Sequence, residues 1–381
     1  MSMIPVKSLR EPASLPESRR PAHVQALQRP PALVKASALA FLRFETPDLD
    51  AAERFQRDFG MQTVQRSAER LVMRGAGTAP CIYVATRASR PRYVGAAFEV
   101  PPGTDLARLI RDAGARPLDP SLIPGGGHGV ELIDPAGHAL WLLADRPEVA
   151  PLPTREPLYP ATNTVTHKPR VNAGVRAPLE PAAVVRIGHM VLQTTDFPTM
   201  ADWYMRHLGL IPTDVQYLAD GSPALCFFRL DLGDRPADHH SFVILGGLEE
   251  KFEHSAYEVV DRDAVGQGQQ VLRARGHRHM WGMGRHVLGS QIFAYWYDPD
   301  GFQFEHYADG DVFTADFETH YSPFELSSIW AWGDDAPREM LPRKTPAMLW
   351  RVARLLMAKK LTPQRLKLVG QALDAPARPW L

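Results

Sequence analysis

An internal repeat constrains the fold more than any other feature of this chain. SALAFLRFETPDLDAAERFQRDFG (37–60) parallels RIGHMVLQTTDFPTMADWYMRHLG (186–209), RYVGAAFEV (92–100) parallels FEHSAYEV (252–259), and ELIDPAGHALWLL (131–143) parallels YWYDPDGFQFEHY (295–307). The first pair reads as a strand, a Thr/Asp turn and a helix ending in glycine. The last pair reads as a hairpin. In the second copy, strands from about Gln291 to Tyr297 and from Phe302 to Tyr307 flank Asp298-Pro299-Asp300-Gly301, where proline presets φ and glycine supplies a positive φ. Phe302, Phe304 and His306 then share one strand face, and Gln303, Glu305 and Tyr307 the other. The expected fold is α+β. It has two tandem domains, each of two βαβββ units forming a curved half-open barrel, with units opening near residues 37, 92, 186 and 252.

The remaining stretches frame the repeat. Residues 1–35 read as a Pro-rich N-terminal arm, extended and either mobile or wrapped on a neighbouring subunit. The first folded domain is expected over 36–145, a Pro-rich linker over 146–183, the second domain over 184–332 and a basic helical tail over 333–381. Two short amphipathic helices in the tail break near Thr362-Pro363, and Leu349, Val352, Leu355 and Leu356 are expected to pack on their own or a neighbouring subunit. Arm and tail together argue for a homo-oligomer. A net charge of zero gives no global field for nucleic acid. There is no apolar run long enough for a membrane span and no signal-like apolar core near the N-terminus. Two cysteines, Cys81 and Cys226, in different halves cannot form a disulfide scaffold, so a reducing cytoplasm is the expected location.

The repeat also works as an internal control. His189 corresponds to Ala40, His254 to Gly95 and Glu305 to Trp141. A sister copy is expected to fold without these polar groups, so the scaffold does not require them. Glu305 stands mid-strand, where a carboxylate must be solvated, paired or metal-bound. Two imidazoles and one carboxylate with an open face form the facial triad of non-haem Fe(II) sites, and thiolates are absent from the set, against structural zinc.

With those residues in view, the second region resembles the catalytic domain of type I extradiol ring-cleaving dioxygenases of the vicinal oxygen chelate superfamily. The resemblance rests on His189 in RIGHMVL, His254 in FEHSAYEV and the block RHVLGSQIFAYWYDPDGFQFEHY, which holds His286, Tyr295 and Glu305 at the family's spacing. His240, in ADHHSFVIL, lies fourteen residues before His254, where the family places a catalytic histidine. The resemblance covers roughly 36–332 and is weaker in the first region, which matches the family's metal-free N-terminal domain.

It implies the vicinal oxygen chelate fold, an Fe(II) cofactor (with Mn(II) possible) held by His189, His254 and Glu305, and a catecholic substrate cleaved by O₂ beside its vicinal hydroxyls. It also implies that His240 is the acid–base residue and that His286 and Tyr295 hydrogen-bond the substrate oxygen. Two other readings stay open: a redox-neutral relative such as an isomerase or an epoxide-opening enzyme, and a non-catalytic aromatic-binding protein. His277 and His279 are expected at a strand rim or the substrate entrance, His306 opposite Glu305, and His128 without partners. Trp281, Met283, Phe293, Trp330 and Trp332 are expected mainly in the core.

Overall fold

Each half is built around a strand that pairs with two neighbours and runs into a capped helix. In the computed structural model, which describes residues 14–158, 162–176, 178–337, 340 and 345–374, β1 (Ala38–Thr46) leads to α1 (Leu49–Phe59). Asp48 caps α1 by accepting from the Asp50 and Ala51 amides, and Gly60 ends it at φ 111. Glycine is required at that point, because a Cβ there would stand 1.6 Å from the Ala182 carbonyl oxygen. β2 (Gln62–Arg66), β3 (Arg70–Arg74), β4 (Tyr83–Arg87), β5 (Arg92–Glu99), α2 (Leu106–Ala113), β6 (Arg116–Pro117), β7 (His128–Ile133) and β8 (Ala139–Ala144) complete the half. Its eight strands form one sheet in the order β2-β3-β4-β1-β5-β8-β7-β6.

The second half repeats this plan. β9 (Val184–Thr194), α3 (Phe197–Leu208), β10 (Ile211–Tyr217), β11 (Pro223–Arg229), β12 (Phe242–Gly246), β13 (Lys251–Val259), α4 (Arg262–Ala274), β14 (Arg278–His286), β15 (Ile292–Tyr297) and β16 (Gln303–Ala308) supply its elements. Within an 11-stranded sheet they run β10-β11-β12-β9-β13-β16-β15-β14, the same order as the first half. β17 (His320–Pro323) and a two-residue strand, Leu15–Pro16, extend one edge, and β18 (Trp330–Gly333) extends the other. The register agrees between copies: Ala97 lies opposite Trp141 as Ala256 lies opposite Glu305. The expected α+β repeat architecture is therefore the observed one.

Strand alternation decides which face meets the other half. Phe304 sits between Phe44, Phe55 and Phe59, with ring centroids 5.9, 5.6 and 5.8 Å away. His306 stacks on Phe59 at 3.7 Å and donates from Nε2 to the Phe59 carbonyl at 2.6 Å. This buried aromatic seam bonds the halves through the outer face of β16, which leaves the inner face of the same strand for Glu305.

The flanking segments depart from expectation in part. Residues 1–13 of the expected arm lie outside the described residues. From Ser14 onward the arm is spent on its own chain: Leu15 pairs with Tyr321, the Leu33 and Ala36 amides donate to the Arg206 and Leu208 carbonyls, and Val24 is buried. The hydrophobic Val24, Leu33 and Val34 explain this, since their burial outweighs the proline-rich backbone's preference for solvent. In the tail, α5 (Pro346–Met357) and α6 (Pro363–Asp374) bracket the expected break. Of the three leucines and one valine expected to pack, Leu355 is buried but Leu349 is 59% exposed.

One ion pair holds the linker to the second half. Both guanidinium NH₂ groups of Arg155 donate to Asp261, at 2.6 and 2.7 Å, and Asp261 also caps α4 at the Ala264 amide. Burial pushes the Asp261 carboxyl up. The Arg155 pair and the Leu158 and Ala264 amides outweigh that and hold it at about 2. A depressed carboxylate contributes stability above its unfolded value and loses it as pH falls through the folded one. Arg155→Ala is therefore expected to cost about 0.5–1 kcal/mol at neutral pH. In chemical denaturation the deficit should shrink as pH falls below the ordinary aspartate range towards about 2.

Candidate active site

Cross-strand register builds the site as a row. On the inner face of the second sheet, His189 of β9 lies opposite Ala256 of β13, Ala256 opposite Glu305 of β16, Glu305 opposite Tyr295 of β15, and Tyr295 opposite Trp281 of β14. Ala256, fully buried and small, lets the side chains of His189 and Glu305 meet over it. His254, two residues before Ala256, points to the same face.

The geometry follows. His189 Nε2 is 3.3 Å and His254 Nε2 3.4 Å from Glu305 Oε2, and one ligand atom from each residue lies within 4.8 Å of the others. His286 Nε2 is 3.6 Å from Glu305 Oε1. Glu305 is completely buried, and neither of its oxygens has a hydrogen-bond partner. Burial alone would raise its carboxyl, but the surrounding imidazoles of His189, His254 and His286 hold it well below the usual range. Burial lowers the proton affinity of His189, against the opposing pull of Glu305 beside it. A buried carboxylate without donors, facing two imidazoles, fits a divalent cation by its donor chemistry.

His240 approaches from the segment before β12, its ring 4.1 Å from that of His189. Behind it, His239 Nε2 meets Asp214 Oδ2 at 2.7 Å, and His239 Nδ1 meets His240 Nδ1 at 2.7 Å. An ionised Asp214 only accepts, so His239 carries its proton on Nε2 and presents Nδ1 as acceptor. His240 then donates from Nδ1, which leaves its Nε2 as a lone pair. Burial, together with His189 and His239, holds His240 well below its ordinary value.

His286 is oriented in the same manner. Its Nδ1–H donates to the Ile329 carbonyl at 2.8 Å, so Nε2 accepts from the Tyr295 hydroxyl at 3.0 Å. Burial and the charge of Glu305 push the Tyr295 phenol well above its ordinary value, so it remains a donor. Trp281 stacks on Tyr295 at 5.6 Å, and Phe293 stacks on His286 at 4.1 Å, walling that side with aromatics.

All six residues singled out in the sequence, His189, His254, Glu305, His240, His286 and Tyr295, thus converge on one concavity. Residues outside that set also shape it: Asp214, His239 and the Ile329 carbonyl orient imidazoles. Only the His239-His240 doublet signalled any of this in the sequence. The discounted histidines separate from the site. His277 lies at the rim of β14, one residue before it, and pairs with Asp58 of α1 at 2.8 Å, while His279, within β14, packs on Trp296 at 4.8 Å. His128 is exposed. In the first half, Trp141 fills the place of Glu305 and donates to Glu131 at 2.9 Å under the Arg43 guanidinium, so that concavity is occupied by side chains.

Residues 186–306 match the Glyoxalase/Bleomycin resistance protein/Dioxygenase superfamily. Metapyrocatechase 2 of Cupriavidus necator is 29% identical over 307 residues, covering 80% of this chain and 90% of that protein. An extradiol ring-cleaving dioxygenase from B. fuscum superposes with a TM-score of 0.67 at 18% identity, over 84% of this chain and 85% of its own. The Mn(II)-bound glyoxalase from Novosphingobium aromaticivorans gives 0.65 at 22% identity, over 82% and 95%. At these identities the superpositions speak for the fold, and the family rests on the sequence matches. Residues 186–306 thus form a domain of the Glyoxalase/Bleomycin resistance protein/Dioxygenase superfamily, within a chain similar over most of its length to metapyrocatechase 2.

Proposed function

We propose that this protein is an Fe(II)-dependent dioxygenase that opens the aromatic ring of a catechol beside its two hydroxyls, using O₂. The observation that carries this reading is Glu305, fully buried, with both oxygens free of hydrogen bonds and two imidazoles beside it. His189, His254 and Glu305 would hold the metal. When bound, an Fe(II) ion supplies Lewis acidity towards the catechol oxygens and a path for electrons between ring and O₂, and Mn(II) suits the same donors.

The chain's own groups handle protons and orientation. His286 Nε2 is an acceptor and can take the proton of a substrate hydroxyl as the catechol enters. The Tyr295 hydroxyl then turns from His286 to donate to the substrate oxygen, fixing its position. His240 sits across the triad with a lone pair on Nε2, so it is placed to accept a proton at the oxygen side and return it later. Trp281 and Phe293 offer flat apolar surface to the ring and exclude water from it. The buried unpaired thiols of Cys81 and Cys226 support a reducing, cytoplasmic setting.

The test is anaerobic loading with Fe(II), then O₂ uptake and visible absorbance against a panel of catechols. O₂ consumption with a yellow ring-opened product, absent in His254→Ala, is the expected outcome. Metal binding with no O₂ uptake on any catechol would overturn it and leave a redox-neutral relative.

A further inference from the structure

The basic tail is the one motif the catalytic reading does not absorb, and its structure is unusual. α5 packs inward through Leu355, which is buried, with Met348 and Val352 partly covered on the same side. Its opposite face is also apolar. Pro346, Trp350, Ala353 and Met357 fall at spacings of four, three and four residues, a single helical stripe, and all are exposed. Trp350 is 64% and Met357 75% accessible, with Leu349 at 59% on the flank. A helix apolar on both faces is ordinarily covered on both.

The charges around the stripe indicate what covers it. After residue 342 the sequence carries nine Lys/Arg against one acid, Asp374. Arg351 is engaged by Glu249 at 2.9 Å, and Arg365 by Ser222 and the Pro223 carbonyl. Arg354 lies over the Trp350 ring at 5.2 Å, so its charge stays beside the stripe. Lys359, Lys360 and Lys367 are exposed and have no carboxylate partner among the described residues. A second copy docking by this same face would bring the Arg354 that flanks each stripe towards that of the other, a like-charge contact.

We propose that α5 docks the protein on the surface of an anionic phospholipid bilayer. The Trp350–Met357 stripe sits at headgroup depth, and Arg354, Lys359, Lys360 and Lys367 meet lipid phosphates. Trp suits that depth, with an apolar ring and a polar N–H, and each basic residue near an anionic surface adds attraction that salt weakens. Docking concentrates the enzyme where aromatic compounds dissolve.

The full chain is sedimented with phosphatidylcholine vesicles, with and without phosphatidylglycerol, at about 0.1 M and about 0.5 M salt. Expected is binding to the anionic vesicles at least about tenfold stronger than to the neutral ones, weakened at high salt. Trp350→Ser with Met357→Ser should lower it about tenfold or more, and so should Arg354→Glu with Lys360→Glu, both with unchanged circular dichroism. Equal binding to both vesicle types, or full binding by the serine variant, overturns the proposal. So does a solution mass that falls to the monomer only in the serine variant, because a second copy then covers the stripe.

Discussion

Glu305→Leu is expected to make the metal-free protein more stable while abolishing its metal binding. In the wild-type chain the carboxylate is fully buried and neither oxygen receives a hydrogen bond. Nearby imidazoles favour its ionised form over the acid, yet both buried oxygens are left without a hydrogen bond. Replacing a buried, poorly satisfied charge by an apolar side chain of similar volume stabilises proteins by about 1–4 kcal/mol, and the neighbours here are Ala256, Tyr295 and the rings of His189, His254 and His286. The variant should therefore unfold at higher denaturant in the presence of a chelator. Adding Mn(II) reverses the order. A ligand that binds only the native state adds about 2.7 kcal/mol at a hundred times its Kd, and the wild-type protein alone gains it. The measurement is a pair of denaturation curves for each protein, with chelator and with Mn(II). A leucine variant less stable than wild type without metal would show that Glu305 serves the fold, and the metal-site reading would fail.

That inversion restates, in free energy, why so much of the site was legible in the sequence. A group the scaffold does not need stands out against a sister copy that lacks it, and Ala97–Trp141 against Ala256–Glu305 is that comparison in register. Strand alternation then assigned faces: Phe304 and His306 went to the seam and Glu305 to the concavity. What stayed hidden depends on contacts between elements with no common period. Asp214 reaches His239 across 25 residues of chain, and His277 finds Asp58 across 219. No local pattern encodes either distance. The arm misled for a related reason. Its prolines describe the backbone's local preference, while its fate was decided by Val24, Leu33 and Val34 finding the surface of the second half. Leu349 differs: its helical spacing implied a face packed on its own or a neighbouring subunit, and its own chain leaves it exposed.

Removing the His240 imidazole is expected to lower kcat by about 10²–10⁴ and to leave metal affinity nearly unchanged. His240 is not among the three residues whose ligand atoms cluster, so His240→Phe keeps the donor set intact. The ring it loses lies 4.1 Å from His189 and ends a chain of directed hydrogen bonds from Asp214 through His239. That chain fixes which nitrogen of His240 carries the proton, so the residues behind it should matter in graded fashion. Asp214→Leu leaves His239 free to take either tautomer, and a fraction of His240 then presents N–H where a lone pair is required. An intermediate loss of about ten- to a hundredfold in kcat is expected, with KM for the catechol little changed, because neither residue touches the site where His286 and Tyr295 orient the substrate. Steady-state kinetics on Fe(II)-loaded protein, with Mn(II) titration as the binding control, separates the cases. A His240→Phe enzyme within tenfold of wild type would remove this histidine from the proton path. Equal losses from Asp214→Leu in kcat and in metal affinity would instead mark the Asp214–His239 chain as a brace for the triad.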